Sequence, residues 1–491
     1  KQSQDLVAVG GRNDFLISQA GKLAYTARSL EDLIANIKLV NSKELEEPLS
    51  DRELSNNILN QAKKYYDKAQ KDKAQQILEE FNIETSEPIE DLEEYGSIIC
   101  LSNSYYKRQK GGIAPISTFK IQLKEVIYND FNNEMLYKAD FLNNSFNQEL
   151  VFRARDLNNK NKFMDLIEHP NFMFTGSQND LQDIKGLIAR QDYRELKGVN
   201  YGGFHEHKGQ RVFITQDKAI NKNLNPIDDL TISEEFQVIK SHILDRQAIT
   251  REELEAISPS LFTFNELKIT SSLITMLPVM MMKSLLFEEK IKTQHLVLYG
   301  EAGAGKSQTV SSIIEPFFSM DQENVLSCSN VTQFSLLKSL SNTNSTPVVL
   351  EEYKPSFLSD FQRRLISDSL RNTYDCHTAT RGTRDQKINS YSMLAPIILV
   401  GEEGQEETAI KERSIILNFN KEARQGRAES FYHLKENSKI LNNLGYSVLE
   451  YLLKADIEAL VNTRVKLMDK HIDPKITEDR VRESVGNMPL G

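Results

Sequence analysis

A short apolar segment that runs into a glycine-rich turn constrains this chain more than any other feature. Residues 295–300 read His-Leu-Val-Leu-Tyr-Gly, and residues 300–307 have the spacing G-x-x-x-x-G-K-S. The apolar run predicts a buried strand, and residues 307–317 predict a helix that begins where the turn ends. A strand, a glycine turn and a helix in this order are typical of a loop that binds the phosphates of a nucleotide.

Each residue type in this turn has a physical reason to be there. Gly300, Gly303 and Gly305 allow backbone angles that direct successive amide groups at one point, where an anion is then bound. The partly positive end of the following helix is directed at the same point. We expect Lys306 to contact the terminal phosphates of ATP and the hydroxyl of Ser307 to bind Mg²⁺.

The chain after this loop alternates strands and helices, which predicts a nucleotide-binding α/β sheet. The predicted elements are a strand at 324–327, a helix at 331–340, a strand at 347–352, a helix at 356–371, a strand at 395–401 and a last strand at 414–419. Some of these strands contain consecutive apolar residues, as expected of strands that are covered on both faces.

Two glutamates end the strand at 347–352. Ligands of such sheets bind at the carboxyl ends of the strands, where Glu351 and Glu352 lie. Phosphate-loop enzymes have a similar acidic strand end beside the loop, so we expect Glu351 to hold Mg²⁺ through water and Glu352 to polarise the attacking water. The alternative is a solvated pair of surface carboxylates.

A different kind of segment follows at 372–387. Thr, Tyr and Cys favour an extended backbone and Gly382 supplies a bend, so the segment predicts a β-hairpin. Arg381, Arg384 and Lys387 cluster at and beyond its tip. They predict contacts with the phosphates of single-stranded DNA, and the alternative is an ordinary solvated hairpin.

Composition restricts the classes of protein to which the chain can belong. Its 491 residues suffice for about three domains. The formal net charge of −10 argues against a protein that coats nucleic acid uniformly, but it allows a local basic site. Only three cysteines occur, which favours a reducing, cytoplasmic location. The most apolar stretch, 269–287, contains Pro278 and Lys283 and therefore predicts a buried helix, with no membrane span.

Changes in pattern along the chain predict five regions. They are a helical segment at 1–96, a β-rich domain at 97–225, a helical linker at 226–287, an ATPase core at 288–422 and a helical subdomain at 423–491. Because the chain begins at Lys1 and not at Met, we expect a piece of a longer protein, with residues 1–96 as the end of an upstream domain.

The motifs together resemble an AAA+ ATPase. More narrowly, they resemble the branch with a hairpin before the fourth strand, which includes the minichromosome-maintenance helicases and the superfamily 3 helicases of viruses and mobile elements. Residues 380–386, 395–403 and 411–417 resemble the helicases and primase–helicases of phages, plasmids and staphylococcal cassette elements. Residues 114–119 and 202–214 are similar to the β-domain that precedes the motor in that family.

This resemblance implies a fold and further site residues. The fold would be α/β, with an AAA+ core and a helical C-terminal subdomain, preceded by a β-rich α+β domain and a helical N-terminal segment. Arg413, before the last strand, would be an arginine finger for the neighbouring subunit's nucleotide, which implies a homo-hexameric ring. Its alternative is a surface arginine at a helix end. Glu402 stands where the family has a polar sensor, and Arg480 or Arg482 would sense the γ-phosphate.

Two functions from different classes follow. The first is a ring-forming, Mg²⁺-ATP-dependent DNA helicase of a mobile element or phage, which moves along single-stranded DNA and works with a primase or other replication proteins. The second is a nucleotide-switched binding module, either an origin-binding initiator or a defence-system ATPase that acts on protein. Neutralising the basic residues of the hairpin should uncouple ATP use from DNA only in the first.

Overall fold

The computed structural model describes residues 9–27, 29–81, 92–110, 112–129, 133–233, 240–321, 324–382, 388–403, 408–472 and 479–488. The chain divides into two compact units. The first consists of Lys1–Val126 and Tyr137–Arg194, and the second consists of Ile127–Leu136 and Glu195–Gly491.

Helices occur along the whole chain. Their bounds are α1 Arg12–Ala24, α2 Leu30–Lys43, α3 Asp51–Glu53, α4 Asn60–Phe81, α5 Lys160–Leu166, α6 Gln178–Ile188, α7 Arg251–Thr263, α8 Leu267–Met281, α9 Lys283–Glu288, α10 Lys306–Thr309, α11 Glu315–Phe318, α12 Gln333–Leu340, α13 Asp360–Tyr374, α14 Thr408–Lys411, α15 Ala428–Glu436, α16 Ser438–Lys454, α17 Ile457–His471 and α18 Asp479–Asn487.

The strands are shorter and lie between Leu92 and Phe419. Their bounds are β1 Leu92–Tyr95, β2 Ile98–Leu101, β3 Ser104–Gln109, β4 Gly112–Pro115, β5 Lys120–Asn129, β6 Glu134–Asn143, β7 Phe146–Arg153, β8 Arg194–Val199, β9 Gly203–His207, β10 Gln210–Ile214, β11 Ala219–Asn221, β12 Leu230–Ile232, β13 His295–Gly300, β14 Val325–Ser327, β15 Val348–Tyr353, β16 Thr378–Gly382, β17 Ile388–Ser392, β18 Ile397–Gly401 and β19 Ser414–Phe419.

The first unit contains a helical part and a β-rich part. In the helical part, α1, α2 and α4 pack around buried aliphatic side chains that include Leu16, Leu33 and Ile37. Ser29 begins α2 because its hydroxyl accepts a hydrogen bond from the Asp32 amide. In the β-rich part, β1 to β4 form an antiparallel meander, and α6 packs with neighbouring strands over a second core rich in phenylalanine.

A parallel five-stranded sheet forms the centre of the second unit. Its strand order is β14-β15-β18-β13-β19, so the strand before the glycine turn lies between the last two strands of the chain order. All five residues of β18 are buried, as are the first four residues of β13, because helices cover both faces of the sheet. The buried residues of α8 belong to the same core as Leu296 and Leu298 of β13. The prediction of a buried helix within 269–287 is therefore confirmed, although the segment consists of two helices.

A polar loop attaches the β9–β10 hairpin to this sheet within the second unit. Residues 341–346, between α12 and β15, are all buried although all six carry a hydroxyl or amide side chain. The Asn344 side chain accepts a hydrogen bond from the Phe204 amide (2.9 Å) and donates one to the Phe204 carbonyl (2.7 Å). A Cβ atom at Gly203 would lie 1.8 Å from Asn344 Oδ1, so only glycine permits this approach.

The predicted β-hairpin is present but begins later than the sequence indicates. The helix predicted at 356–371 lies at Asp360–Tyr374, where the Ser359 hydroxyl caps its first turn, and the first hairpin strand begins only at Thr378. Burial of Thr373 and Tyr374 in the last helical turn overrides their preference for extended backbone. Gly382 is paired with Ile388 and does not form the bend. The tip, residues 383–387, lies outside the described residues.

The remaining predictions of strands in the second unit agree with the structure to within two residues. No helix within the described ranges is both long enough and apolar enough to cross a membrane.

Candidate nucleotide-binding site

The glycine turn between β13 and α10 has the geometry that its spacing predicts. Gly305 is the residue before α10 and has left-handed backbone angles (φ 95°, ψ 12°). Gly303 also has a positive φ of 79°, and Gly300 has one of 144°. These angles turn the backbone sharply from the strand into the helix, which is the kind of conformation that lets amide groups of a turn converge on an anion.

Gly300 is sterically required because β19 lies directly against it. A Cβ atom at Gly300 would lie 1.8 Å from the carbonyl oxygen of Phe419, and the φ angle is one that other residues avoid.

Gly300→Ala should therefore destabilise the second unit by several kcal/mol, because the alanine must displace the backbone of a buried strand. Gly209→Ala is a matched control, since Gly209 also has a positive φ (72°) but a Cβ atom there meets nothing within 4 Å. Thermal unfolding followed by circular dichroism measures both variants. Equal unfolding midpoints for the two would contradict the steric explanation.

The side chain of Lys306 bonds back to the glycine turn that precedes it. Its Nζ atom donates hydrogen bonds to the carbonyls of Gly300 (2.6 Å) and Glu301 (2.9 Å), and the residue is 7% exposed. Burial lowers the pKa of Lys306, whereas the negative charges of Glu402, Glu301 and Glu351 oppose that shift. The structure therefore brings the lysine together with two of the carboxylates predicted at the strand ends.

The two glutamates of β15 have different backbone conformations. Glu351 continues the strand and is in register with Ser327 of β14. Glu352 has a positive φ of 59°, and the pairing with β18 is interrupted between Leu350 and Tyr353. A left-handed conformation at a residue other than glycine costs about 1–3 kcal/mol and is found most often at functional sites.

This backbone irregularity directs Glu352 away from the strand and toward β14. Its carboxylate accepts a short hydrogen bond from the hydroxyl of Ser327, which also lies 2.8 Å from the hydroxyl of Ser329. Glu352 itself is exposed. A carboxylate that is exposed and held in place at the carboxyl edge of the sheet can accept a proton from water.

Glu402 lies at the carboxyl end of β18. Its carboxylate pairs with Lys354 Nζ at 3.0 Å, and its negative charge acts on Lys306. The residue predicted as a sensor is therefore an acid, and Lys354 partly neutralises its charge.

Arg413 lies at the opposite edge of the sheet. Its carbonyl accepts a hydrogen bond from the amide of His295, the first residue of β13 (2.9 Å). The glycine turn follows the sixth and last residue of that strand. A strand of that length spans roughly 20 Å, so Arg413 is about that far from the phosphate loop of its own chain.

Aromatic and acidic groups surround the Arg413 side chain. Its guanidinium carbon lies 5.4 Å from the centre of the Tyr374 ring. Burial acts to raise the pKa of Asp375, but Lys292 and, to a smaller extent, Arg413 lower it. The arginine is half-buried, and its position is defined by α13 and by the start of β19.

Arg480 is at this same edge. Its guanidinium pairs with the carboxylate of Glu412 at 2.5 Å, next to Arg413, and does not lie at the phosphate loop. Arg482 follows two residues later in α18 and is half-buried.

The predicted DNA-binding residues can be described only in part. Arg381 pairs through its backbone with Asn389 in the hairpin, and Arg384 and Lys387 lie outside the described residues.

Two basic residues at the loop were not predicted from the sequence. Arg424 donates hydrogen bonds to the Gly303 carbonyl (3.2 Å) and to Gln308 Oε1 (2.5 Å). The Lys421 amide donates to Glu301 Oε1 (3.0 Å), and Lys421 Nζ lies 3.6 Å from Glu301 Oε2. Both residues follow the carboxyl end of β19, and β19 lies beside β13 in the sheet. Their place after a strand next to the glycine turn is the signal that would have identified them.

The donor set suits a magnesium ion that is bound together with a nucleotide. Within the described residues no group of three or more His, Cys, Asp or Glu side chains is arranged to hold a metal ion. Mg²⁺ in nucleotide enzymes uses only one or two protein oxygens besides water and phosphate. The exposed hydroxyl of Ser307 and the carboxylate of Glu351 are oxygens of this kind.

Comparison with known proteins gives one match to a family model. Residues 5–56 match the family model described as Primase C terminal 1 (PriCT-1). None of the curated proteins matches the chain.

Among solved structures, the chain is similar to the one titled "SCCmec type IV Cch - active helicase", with 14% identity and a TM-score of 0.48 over 81% of this chain and 73% of that one. It is also similar to the apo C-terminal region of NrS-1, with 13% identity and a TM-score of 0.31 over 74% and 83%. A third similar structure is inhibitor-bound JCV helicase, with 16% identity and a TM-score of 0.23 over 48% and 72%. The match to a primase-associated domain at residues 5–56 agrees with the resemblance to primase–helicases.

Proposed function

We propose that this chain is the ATP-hydrolysing motor of a ring-forming AAA+ DNA helicase that serves replication of a mobile element or phage. One observation carries the proposal. Lys306 lies close enough to Glu351 for their charges to interact, and Glu352 follows Glu351 at the same carboxyl edge of the sheet, whereas Arg413 lies at the opposite edge, next to the first residue of β13. A site that needs both parts is complete only between two copies of the chain.

In the proposed mechanism the loop amides and Lys306 hold the phosphates. Lys306 exchanges its two carbonyl partners for phosphate oxygens, which are stronger acceptors because they are charged. Ser307 and Glu351 would hold Mg²⁺, which would neutralise phosphate charge when bound. Glu352 accepts a proton from the water that attacks the γ-phosphate, and its hydrogen bond to Ser327 orients it.

Arg413 completes the site from the neighbouring subunit in this proposal. A guanidinium placed at the γ-phosphate stabilises the charge that develops in the transition state. Repetition of one such contact from copy to copy is a heterologous interface, which forms a ring where the rotation between copies closes. We propose a homo-hexamer. Glu412 and Arg480 lie beside Arg413, so Arg480 would act at the same interface.

The substrate in this proposal is single-stranded DNA. The hairpin of β16 and β17 carries Arg381, Arg384 and Lys387, whose contacts would follow the phosphate backbone without reading bases. The primase-associated match at 5–56 favours a role at a replication fork together with primase activity. The five regions predicted from the sequence are proposed as the domain layout, except that the hairpin of β9 and β10 is assigned to the core because Asn344 bonds to its backbone.

The first experiment is steady-state ATP hydrolysis with and without single-stranded DNA, repeated at several salt concentrations. We expect hydrolysis that is stimulated by DNA, with a stimulation that fades as salt rises, because phosphate contacts release counterions. Hydrolysis that is indifferent to DNA at low salt would contradict the motor and favour the nucleotide-switched module.

A triple variant makes this experiment specific. Arg381→Ala, Arg384→Ala and Lys387→Ala together should remove the stimulation by DNA and leave the basal rate unchanged. The control substitutes Arg251, Lys435 and Lys439, which are exposed and lie on α7, α15 and α16. A triple hairpin variant with full stimulation would show that DNA contacts another surface.

A further inference from the structure

The segment that follows β19 lies over the phosphate loop and carries two positive charges. A Cβ atom at Gly305 would lie 3.0 Å from Arg424 Nε, and one at Gly303 would lie 3.3 Å from Lys421 Cε. The two side chains therefore contact the loop at the glycines whose amides would face a nucleotide.

The partners of Arg424 carry no negative charge. Its guanidinium donates hydrogen bonds to a backbone carbonyl and to a glutamine amide oxygen, and its central carbon lies 5.8 Å from the centre of the Phe431 ring. No described carboxylate forms an ion pair with it, whereas Lys421 pairs with Glu301. A planar guanidinium with five donors binds phosphate oxygens more strongly than it binds neutral oxygens.

The position of Arg424 also indicates which part of a nucleotide it would contact. In a phosphate loop the backbone amides hold the α- and β-phosphates and the lysine reaches the β- and γ-phosphates. Arg424 lies over Gly303 and Gly305 and beside Gln308, two residues beyond Lys306. It is therefore on the side of the α- and β-phosphates.

We propose that Arg424, assisted by Lys421, is a nucleotide-binding residue that contacts the α- and β-phosphates of the nucleotide in its own subunit. The inference rests on the proposed function, because it requires that the loop binds a nucleoside triphosphate. It adds a phosphate contact from the chain that leads into the C-terminal helical subdomain, and this contact serves ATP and ADP alike. On binding, the guanidinium exchanges Gly303 and Gln308 for phosphate oxygens.

Isothermal titration calorimetry of the full chain with MgATP and with MgADP tests this inference. Arg424→Ala should weaken both ligands by the same factor, about tenfold or more, because a charge-assisted hydrogen bond is lost from both. The affinity of Arg424→Lys should lie between those of wild type and Arg424→Ala, since lysine keeps the positive charge but lacks the planar set of donors of the guanidinium. Arg251→Ala is the matched control, because Arg251 is exposed on α7 and pairs with Glu255.

Three results would overturn the inference. One is an Arg424→Ala variant that binds both nucleotides within twofold of wild type while Lys306→Ala loses them, which leaves the proposed function intact. Another is a loss of affinity together with a large fall in the unfolding midpoint without nucleotide, which would mean that Arg424 stabilises the fold and does not bind the nucleotide. The Lys421→Ala and Arg424→Lys variants repeat this comparison with milder changes. The third is a wild-type chain that binds neither nucleotide, which would remove the proposed function as well.

Discussion

Lys306→Ala should abolish ATP hydrolysis, with a loss of at least about a thousandfold in turnover. Lys306 is the buried cation at an edge where Glu301, Glu351 and Glu402 all act on it. Without the positive charge of this lysine, less would offset the repulsion between the negatively charged triphosphate and these carboxylates. Phosphate release at saturating ATP measures the effect.

The control for this variant is Lys435→Ala, since Lys435 is an exposed lysine of α15. Lys306→Ala should also weaken nucleotide binding, and its unfolding midpoint without nucleotide should stay close to that of wild type because the lysine bonds only to carbonyls of its own loop. Turnover within tenfold of wild type would mean that the glycine turn does not hold the reacting phosphates.

If Arg413 is the proposed arginine finger, Arg413→Ala should lower turnover by about 10³ to 10⁵, the range for arginine fingers supplied in trans, while nucleotide affinity changes little. The physical reason is the distance of roughly one strand length between Arg413 and the loop of its own chain, which leaves only a neighbour's nucleotide within its reach. Turnover and calorimetric affinity, measured on the same preparation, separate the two effects.

Mixing variants tests the contribution from the neighbour directly. Lys306→Ala keeps an intact Arg413, and Arg413→Ala keeps an intact phosphate loop, so mixed oligomers contain some interfaces in which both parts are intact. We expect the mixture to hydrolyse ATP although each variant alone does not. A mixture that stays inactive under conditions where the chains exchange would contradict an arginine supplied in trans.

The sheet and its phosphate loop could be predicted because their signals are local and strong. β13 and β19 have the predicted bounds, since runs of apolar residues and the glycine spacing each specify one structure. The start of the hairpin was wrong because burial of Tyr374 extends α13, and burial is a tertiary effect that propensity does not contain.

The parts of the site that were missed depend on the folded arrangement. The positive φ of Glu352 reflects the interrupted pairing of β15 with β18, which no residue pattern predicts. Arg424 is brought to the loop by the neighbouring strand and belongs to no motif. Arg480 was predicted as a sensor, and only the structure puts it beside Glu412 and Arg413.

The hydrogen bonds between Asn344 and Phe204 have a practical consequence for dividing the protein into fragments. A recombinant piece that starts at 226 or 288 would contain the complete sheet and phosphate loop but would lack both backbone partners of the Asn344 side chain, which is 2% exposed. A buried amide without partners costs about 1–3 kcal/mol for each lost bond, and the apolar side of β9 and β10 would be removed as well. We therefore expect a piece that begins upstream of β9 to be more stable than one that begins at 226 or 288, and the hairpin at 203–214 is better regarded as a part of the domain that contains the parallel sheet than as a part of the domain before it.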